Sequence, residues 1–192
     1  MNVENIGQKD GYSIRLAKAD DAIAYYEQNY CPLDKEVARF TGCKETFTRE
    51  EVMTFFLHSL EDKNRYFFLV IAPDGRIIGE SVINEIDWDL RSANFRIGLY
   101  HADKRGKGLG TWISEATRDF AFEILKLHRL ELDVYSFNPA AERVYEKAGF
   151  RREGVLRDAL KDQGRYADII LMAILEDEWR NIKNSKNKEN TE

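Results

Sequence analysis

The feature that most narrows the fold is a run of four segments near the middle of the chain. A-N-F-R-I-G-L-Y (93–100) alternates apolar and polar residues as a strand does. D-K-R-G-K-G-L-G-T (103–111) follows, with three glycines at alternate positions among two lysines and an arginine. An amphipathic stretch then predicts a helix from about Thr111 to Leu127, and R-L-E-L-D-V-Y-S (129–136) alternates again. Strand, glycine loop, helix and strand make one βαβ crossover, which demands a parallel strand pair. Glycines this dense cost backbone entropy, so a fold keeps them where the chain turns tightly or meets something closely. At a helix start the first N–H groups lack partners and lie at the positive end of the dipole, a geometry that suits a phosphate. A plain turn with a helix cap and a solvated basic loop are the competing readings of the loop alone.

Secondary-structure signals extend on both sides. Y-S-I-R-L-A-K (12–18) reads as a strand, and a helix runs from an Asp20 cap to about Tyr30, where Cys31-Pro32 breaks it. A second helical segment lies near 34–40. Thr48 opens T-R-E-E, a capping-box pattern, ahead of a further helix. R-Y-F-F-L-V-I-A (65–72) and I-I-G-E-S-V-I-N-E-I (77–86) are strands around a P-D-G-R turn. Pro139 starts a helix to about Ala148, and the segments flanking D-Q-G near the end form an antiparallel hairpin. The expected fold is α/β, of the α+β type: a mixed, mostly antiparallel sheet of about six or seven strands flanked by helices. A single domain spans 12–180, between a loose N-terminus (1–11) and a polar tail (181–192) read as frayed.

Composition excludes some functions. A net charge of −5 argues against a nucleic-acid partner and leaves room for a cationic one. Cys31 and Cys43 form neither a metal-ligand pattern nor a disulfide framework, so no metal is expected and both read as plain thiols. No apolar run reaches membrane-spanning length and no signal-peptide core is visible, so the expectation is a cytoplasmic protein with no membrane partner. A homodimer is left open, with Trp88 and Trp112 as candidate contact residues or partly buried core.

Two motifs carry the function. R-G-K-G-L-G stands at 105–110 and N-P-A-A-E-R-V-Y-E-K-A-G-F at 138–150, separated by one helix and one strand. Together, in this order, they resemble the acetyl-CoA-binding core of the GCN5-related N-acetyltransferases (GNAT). The segment G-V-L-R-D-A-L-K-D-Q-G-R-Y-A-D-I-I-L-M (154–172) is similar to the branch of ribosomal-protein N-terminal and spermidine acetyltransferases. The resemblance is firm from Arg65 to Trp179 and weak over 12–64, where this family shapes the acceptor site.

The resemblance implies acetyl-CoA as co-substrate, with direct attack by a small amine, such as a polyamine, aminoglycoside or amino acid derivative, or by a protein N-terminus. The loop would hold the cofactor pyrophosphate on amides from Gly106 through Lys107, Gly108, Leu109 and Gly110 to Thr111, with Arg105 adding charge. Backbone N–H groups around Leu99 and Tyr100 would meet the developing oxyanion. Tyr145 would be the general acid for the departing thiolate, its other reading being a core aromatic. Asn138 would bond the pantetheine arm, cap a helix, or both.

The base is the open position. Glu80, Glu85, Asp87 and Asp89 are the acidic candidates. Residues 85, 87 and 89 share strand parity and so one face, which makes Glu85 and Asp87 candidates for amine binding or base duty. Many relatives carry a glutamate where this chain has Arg96, so the base passes to those residues or to water. His58, His101 and His128 have no partner spacing. Two further readings remain: a catalytically silent acyl-CoA-binding or sensing module, and a nucleotide-binding loop, which lacks the G-K-[ST] ending of a P-loop.

Overall fold

The computed structural model describes residues 4–189. Its elements in chain order are β1 (Asn5–Lys9), β2 (Tyr12–Leu16), α1 (Ala22–Asn29), α2 (Lys35–Thr41), α3 (Arg49–Glu61), β3 (Tyr66–Ile71), β4 (Ile77–Asp87), β5 (Ser92–Leu99), α4 (Leu109–Glu123), β6 (Arg129–Tyr135), α5 (Pro139–Lys147), β7 (Arg151–Asp162), β8 (Arg165–Leu175) and α6 (Glu176–Glu189). The eight strands form one sheet in the order β1-β2-β3-β4-β5-β6-β8-β7. Every neighbouring pair is antiparallel except β5–β6, the crossover read from the sequence.

The sheet is one strand wider than expected, because residues 5–9, read as loose, pair with β2. Residues 1–3 of that segment lie outside the described residues. The tail read as frayed is helical through Glu189, anchored by Trp179 and Ile182 against the core and by an Arg180–Glu176 ion pair at 2.5 Å; residues 190–192 again lie outside. The α1 cap is Asp21 rather than Asp20, its carboxylate accepting from the Lys18 amide at 2.8 Å. The capping box at Thr48 is formed as the sequence indicated. Helix α4 starts two residues early, at Leu109. It ends at Glu123, before the left-handed Lys126 turns the chain towards β6.

Helices cover both faces, so β4 is buried on both sides over most of its length. On one face α1 and α3 place Tyr25 and Phe56 against Phe67, Leu69 and Val82. On the other, Ile113, Phe120 and Ala121 of α4 pack on Phe68, Val70, Ile78 and Phe95. Burying a side chain such as Phe120 contributes about 2–3 kcal/mol. Arg118 of α4, almost fully buried, donates to the Ala148 carbonyl after α5 and pairs with Asp119. Asp119 also accepts from the Trp179 indole at 2.9 Å, so this buried charge ties α4, α5 and α6 together.

Candidate active site

The parallel pair that the crossover creates is short. β5 and β6 register only at Ser92–Arg129, Ala93–Leu130 and Asn94–Glu131. Beyond Asn94 the two strands no longer pair, and residues 95–99 of one and 133–135 of the other line a cleft of about 870 Å³. α2, α3, the glycine loop and α5 supply the remaining walls. A site at the ends of parallel strands, where backbone groups are left free, is a common place for ligands.

The glycine loop forms one lip. Gly106 and Gly108 adopt left-handed backbone, with φ of 73° and 79°, and a Cβ at either would meet no protein atom within 4 Å. Gly108 caps α4 without a side-chain partner for the first amides, so the N–H groups of the opening turn face outward. Gly106, Gly108, Gly110 and Thr111 line the cleft. Leu109 is in the core and offers only its backbone, and Lys107 stands exposed on the loop outside the cleft lining. An open cradle of free amides at a fifteen-residue helix fits the pyrophosphate of acetyl-CoA. Arg143 and Lys147 of α5 add positive charge to the same cleft.

Arg105 bonds to the start of α2 and the end of β5. Its Nη2 lies 2.7 Å from Asp34, its Nη1 donates to Glu36 at 2.6 Å, and its Nε donates to the Leu99 carbonyl at 3.2 Å. The guanidinium is paired at the α2 N-terminus and ties the loop to it, and Arg105 also lines the cleft. Lys104 is paired with Asp103 at 3.1 Å.

The two expected oxyanion donors separate. The Tyr100 amide donates to the Ile78 carbonyl at 3.0 Å, so it is occupied by β4. In an antiparallel pair the bonded positions alternate, which turns the Leu99 amide away from β4 and towards the opening beside β6. Of the two, Leu99 is the free donor.

Tyr145 projects from α5 into the cleft and is 8% exposed, edge-on to Phe95 and Phe150 at 6.1 Å. Burial, reinforced by the Asp133 charge, pushes its hydroxyl well above the ordinary phenol value, so it holds its proton. Both sequence readings of this residue apply, since it packs in the core and borders the cleft. Asn138 likewise lines the cleft and caps α5 by accepting from the Ala141 amide at 3.1 Å.

Carboxylates distribute differently from the strand-parity expectation. Glu85 takes a left-handed conformation, φ 55°, at a register shift between Asn84 and Asp87, so the even alternation that put 85, 87 and 89 on one face is broken. Asp87 accepts from the amides of Asp89 and Leu90 at 3.0 and 2.8 Å and closes a turn. Neither Glu85 nor Asp87 lines the cleft; Glu80, Glu51 and Asp133 do. Asp133, on β6, was missed because its alternation reads as an ordinary solvated strand face. Burial raises its carboxyl above the ordinary range, and the nearby Glu85 charge adds to the shift.

Glu80 is the buried acid of the site. It accepts from the Tyr25 hydroxyl, and the hydroxyls of Tyr25, Tyr30 and Tyr100 lie 2.9 to 3.1 Å from one another. Burial pushes Tyr30 up to about 12 and Tyr25 and Tyr100 well above the ordinary value, so all three stay protonated. Arg96, the residue standing where many relatives carry a glutamate, is 3.8 Å from Glu80 and faces the cleft. Cys43 also lines the cleft, its sulfur 3.2 Å from the Thr41 hydroxyl. Among the described residues no group of three His, Cys, Asp or Glu could hold a metal ion, and no helix is long and apolar enough to cross a membrane.

The Acetyltransferase (GNAT) domain family matches residues 13–151. A spermidine N(1)-acetyltransferase of Vibrio cholerae is 32% identical over 132 residues, covering 69% of this chain and 76% of its own. A probable N-acetyltransferase of Bacillus subtilis, YjcK, is 38% identical over 117 residues, 60% of this chain and 64% of its own. Among solved structures, the Vibrio cholerae spermidine N-acetyltransferase in complex with CoA and spermine superposes with a TM-score of 0.79 at 26% identity, covering 89% of this chain and 99% of that one.

Proposed function

The chain belongs to the GNAT acetyltransferases, and from that premise we infer that it moves the acetyl group of acetyl-CoA to a primary amine by direct attack within a ternary complex. The observation that carries the reading is the opening between β5 and β6, which gathers a free Leu99 amide, the Tyr145 hydroxyl and the Asp133 carboxylate around one space. Bound acetyl-CoA supplies an activated acyl group as a thioester.

The chain's own residues do the rest. Amides of the 106–111 loop bind the pyrophosphate, and Asn138 borders the path of the pantetheine arm. The Leu99 N–H meets the acetyl oxygen as negative charge grows on it. An alkyl ammonium titrates near about 10, so most acceptor arrives protonated at neutral pH and must lose a proton to attack. Asp133, its carboxyl raised by burial, takes that proton. As the C–N bond forms and the C–S bond breaks, Tyr145 gives its proton to the sulfur, and the second proton shed by the acylated nitrogen restores the Tyr145 hydroxyl. Glu80, which accepts from Tyr25 within the tyrosine cluster, shapes the acceptor wall.

Calorimetric titration with acetyl-CoA, followed by a thiol-release screen over amines and peptide N-termini, tests this. Cofactor binding with amine-dependent release is the expected result. Tight binding with no release for any amine would favour a silent binding module instead, and absence of binding would remove the cofactor assignment.

A further inference from the structure

The acceptor wall carries an arginine with unfilled hydrogen-bonding capacity. Arg96 sits on β5 with its side chain on the face that also carries Glu80 and Tyr100, and it is 45% exposed to the cleft. Its one ion pair, to Glu80, is long at 3.8 Å, and that carboxylate already accepts from Tyr25. Its guanidinium lies 5.8 Å from the centroid of the Phe55 ring, which supports it from one side. A guanidinium presents a planar fork of donors matched to a carboxylate, and among the described residues no hydrogen-bond partner fills the fork.

The other charges in the cleft are accounted for. Lys44 is bound to Glu51, and Arg105 to Asp34 and Glu36. Arg143 and Lys147 stand on α5, beside the cofactor loop. The lining holds three carboxylates against five cations. Of the three, Glu51 is neutralised by Lys44, Glu80 is enclosed by tyrosines, and Asp133 is assigned to the proton. A polyamine brings two or more separated ammonium groups into a cleft whose lining already holds more cations than carboxylates.

We propose that Arg96 is the anchor for a carboxylate on the acceptor, so that the preferred amine belongs to an amino acid or a carboxylate-bearing derivative of one rather than to a bare polyamine. The amine end reaches Asp133 across the β5–β6 opening while the carboxylate rests on Arg96 above Phe55. This inference rests on the transferase reading and narrows it to one acceptor class.

Matched pairs of acceptors test it: ω-amino acids of graded length against the diamines of the same length. The wild type is expected to show kcat/KM about 10- to 100-fold higher for the best amino acid than for its diamine. Arg96→Gln should raise KM for the amino acid by a similar factor with kcat little changed, while kcat/KM for the diamines should hold or rise because a cation leaves the wall. Arg96→Lys should restore part of the loss. Equal or better turnover of diamines by the wild type, or a loss in Arg96→Gln that is the same for both classes, would overturn the proposal. A second measurement is independent of turnover: calorimetric binding of the N-acetyl amino acid to the CoA-loaded protein. Binding that Arg96→Gln weakens about tenfold supports the anchor even if no amine is acetylated, and in that event only the transferase reading fails. No binding to the wild type rejects the anchor.

Discussion

Arg105 and Asp34 join the glycine-loop side of the cleft to the α2 side, with Nη2 2.7 Å from Oδ1. Asp34 is also the N-cap of α2, accepting from the amides of Glu36 and Val37 at 2.9 and 3.0 Å. Burial alone would raise this carboxyl, but Arg105 and the capped amides outweigh it and hold the group below its ordinary range. The stability it contributes is therefore fully present above about pH 4 and is lost as pH falls through the depressed folded value. Asp34→Ala removes the cap and releases the arginine. Chemical denaturation should show a loss of about 1–2 kcal/mol at neutral pH, shrinking in acid.

Gly108 separates binding from folding. Its φ of 79° strains any residue with a Cβ, while the space beyond it holds no protein atom within 4 Å. Gly108→Ala should cost about 1 kcal/mol of stability through backbone strain. The added methyl faces the cradle, so acetyl-CoA affinity measured by calorimetry should fall by tenfold or more. A large stability loss with unchanged affinity would place the cofactor elsewhere.

Tyr145→Phe deletes one hydroxyl and keeps the ring between Phe95 and Phe150. If that hydroxyl protonates the thiolate, kcat should drop about 10²-fold, with acetyl-CoA affinity and melting temperature nearly unchanged. Undiminished turnover with the best acceptor would take Tyr145 out of the chemistry.

Asp133 has the opposite signature to Asp34. Its carboxyl is raised by burial, so the base is lost as pH falls through a value above the ordinary carboxylate range, and kcat/KM should decline on the acid side there. Asp133→Asn should lower kcat/KM by about 10²-fold or more and flatten that limb. Asp133 is exposed on β6, so the same substitution should leave stability little changed.

How much of this was legible in the sequence depended on range. The loop, the Tyr145 motif, the Asn138 cap and the Thr48 box are local patterns, and each is formed where expected. The Tyr25–Glu80–Tyr100 cluster joins positions 55 and 75 residues apart, so no local period marks it. Glu85 defeated the face assignment because one left-handed residue shifts the register, and parity holds only for unbroken strands. β1 was missed because a short polar edge strand owes its form to its partner. α6 was missed because its polar surface hides the few anchors, Trp179 and Ile182, that dock it. The pairing of Arg105 with Asp34 and Glu36 spans about 70 residues, so the loop alone gives no sign of it.

The most direct test of transfer in a ternary complex is the initial-rate pattern with acetyl-CoA and the best acceptor varied together. Direct attack assembles both substrates around Leu99, Asp133 and Tyr145 before any bond breaks, so double-reciprocal lines should intersect. No thiol should be released without the amine, and N-acetylated product should match thiol one for one. Parallel lines, with a burst of thiol before the amine is added, would contradict the account and point to an acetylated protein group such as Cys43 as the carrier.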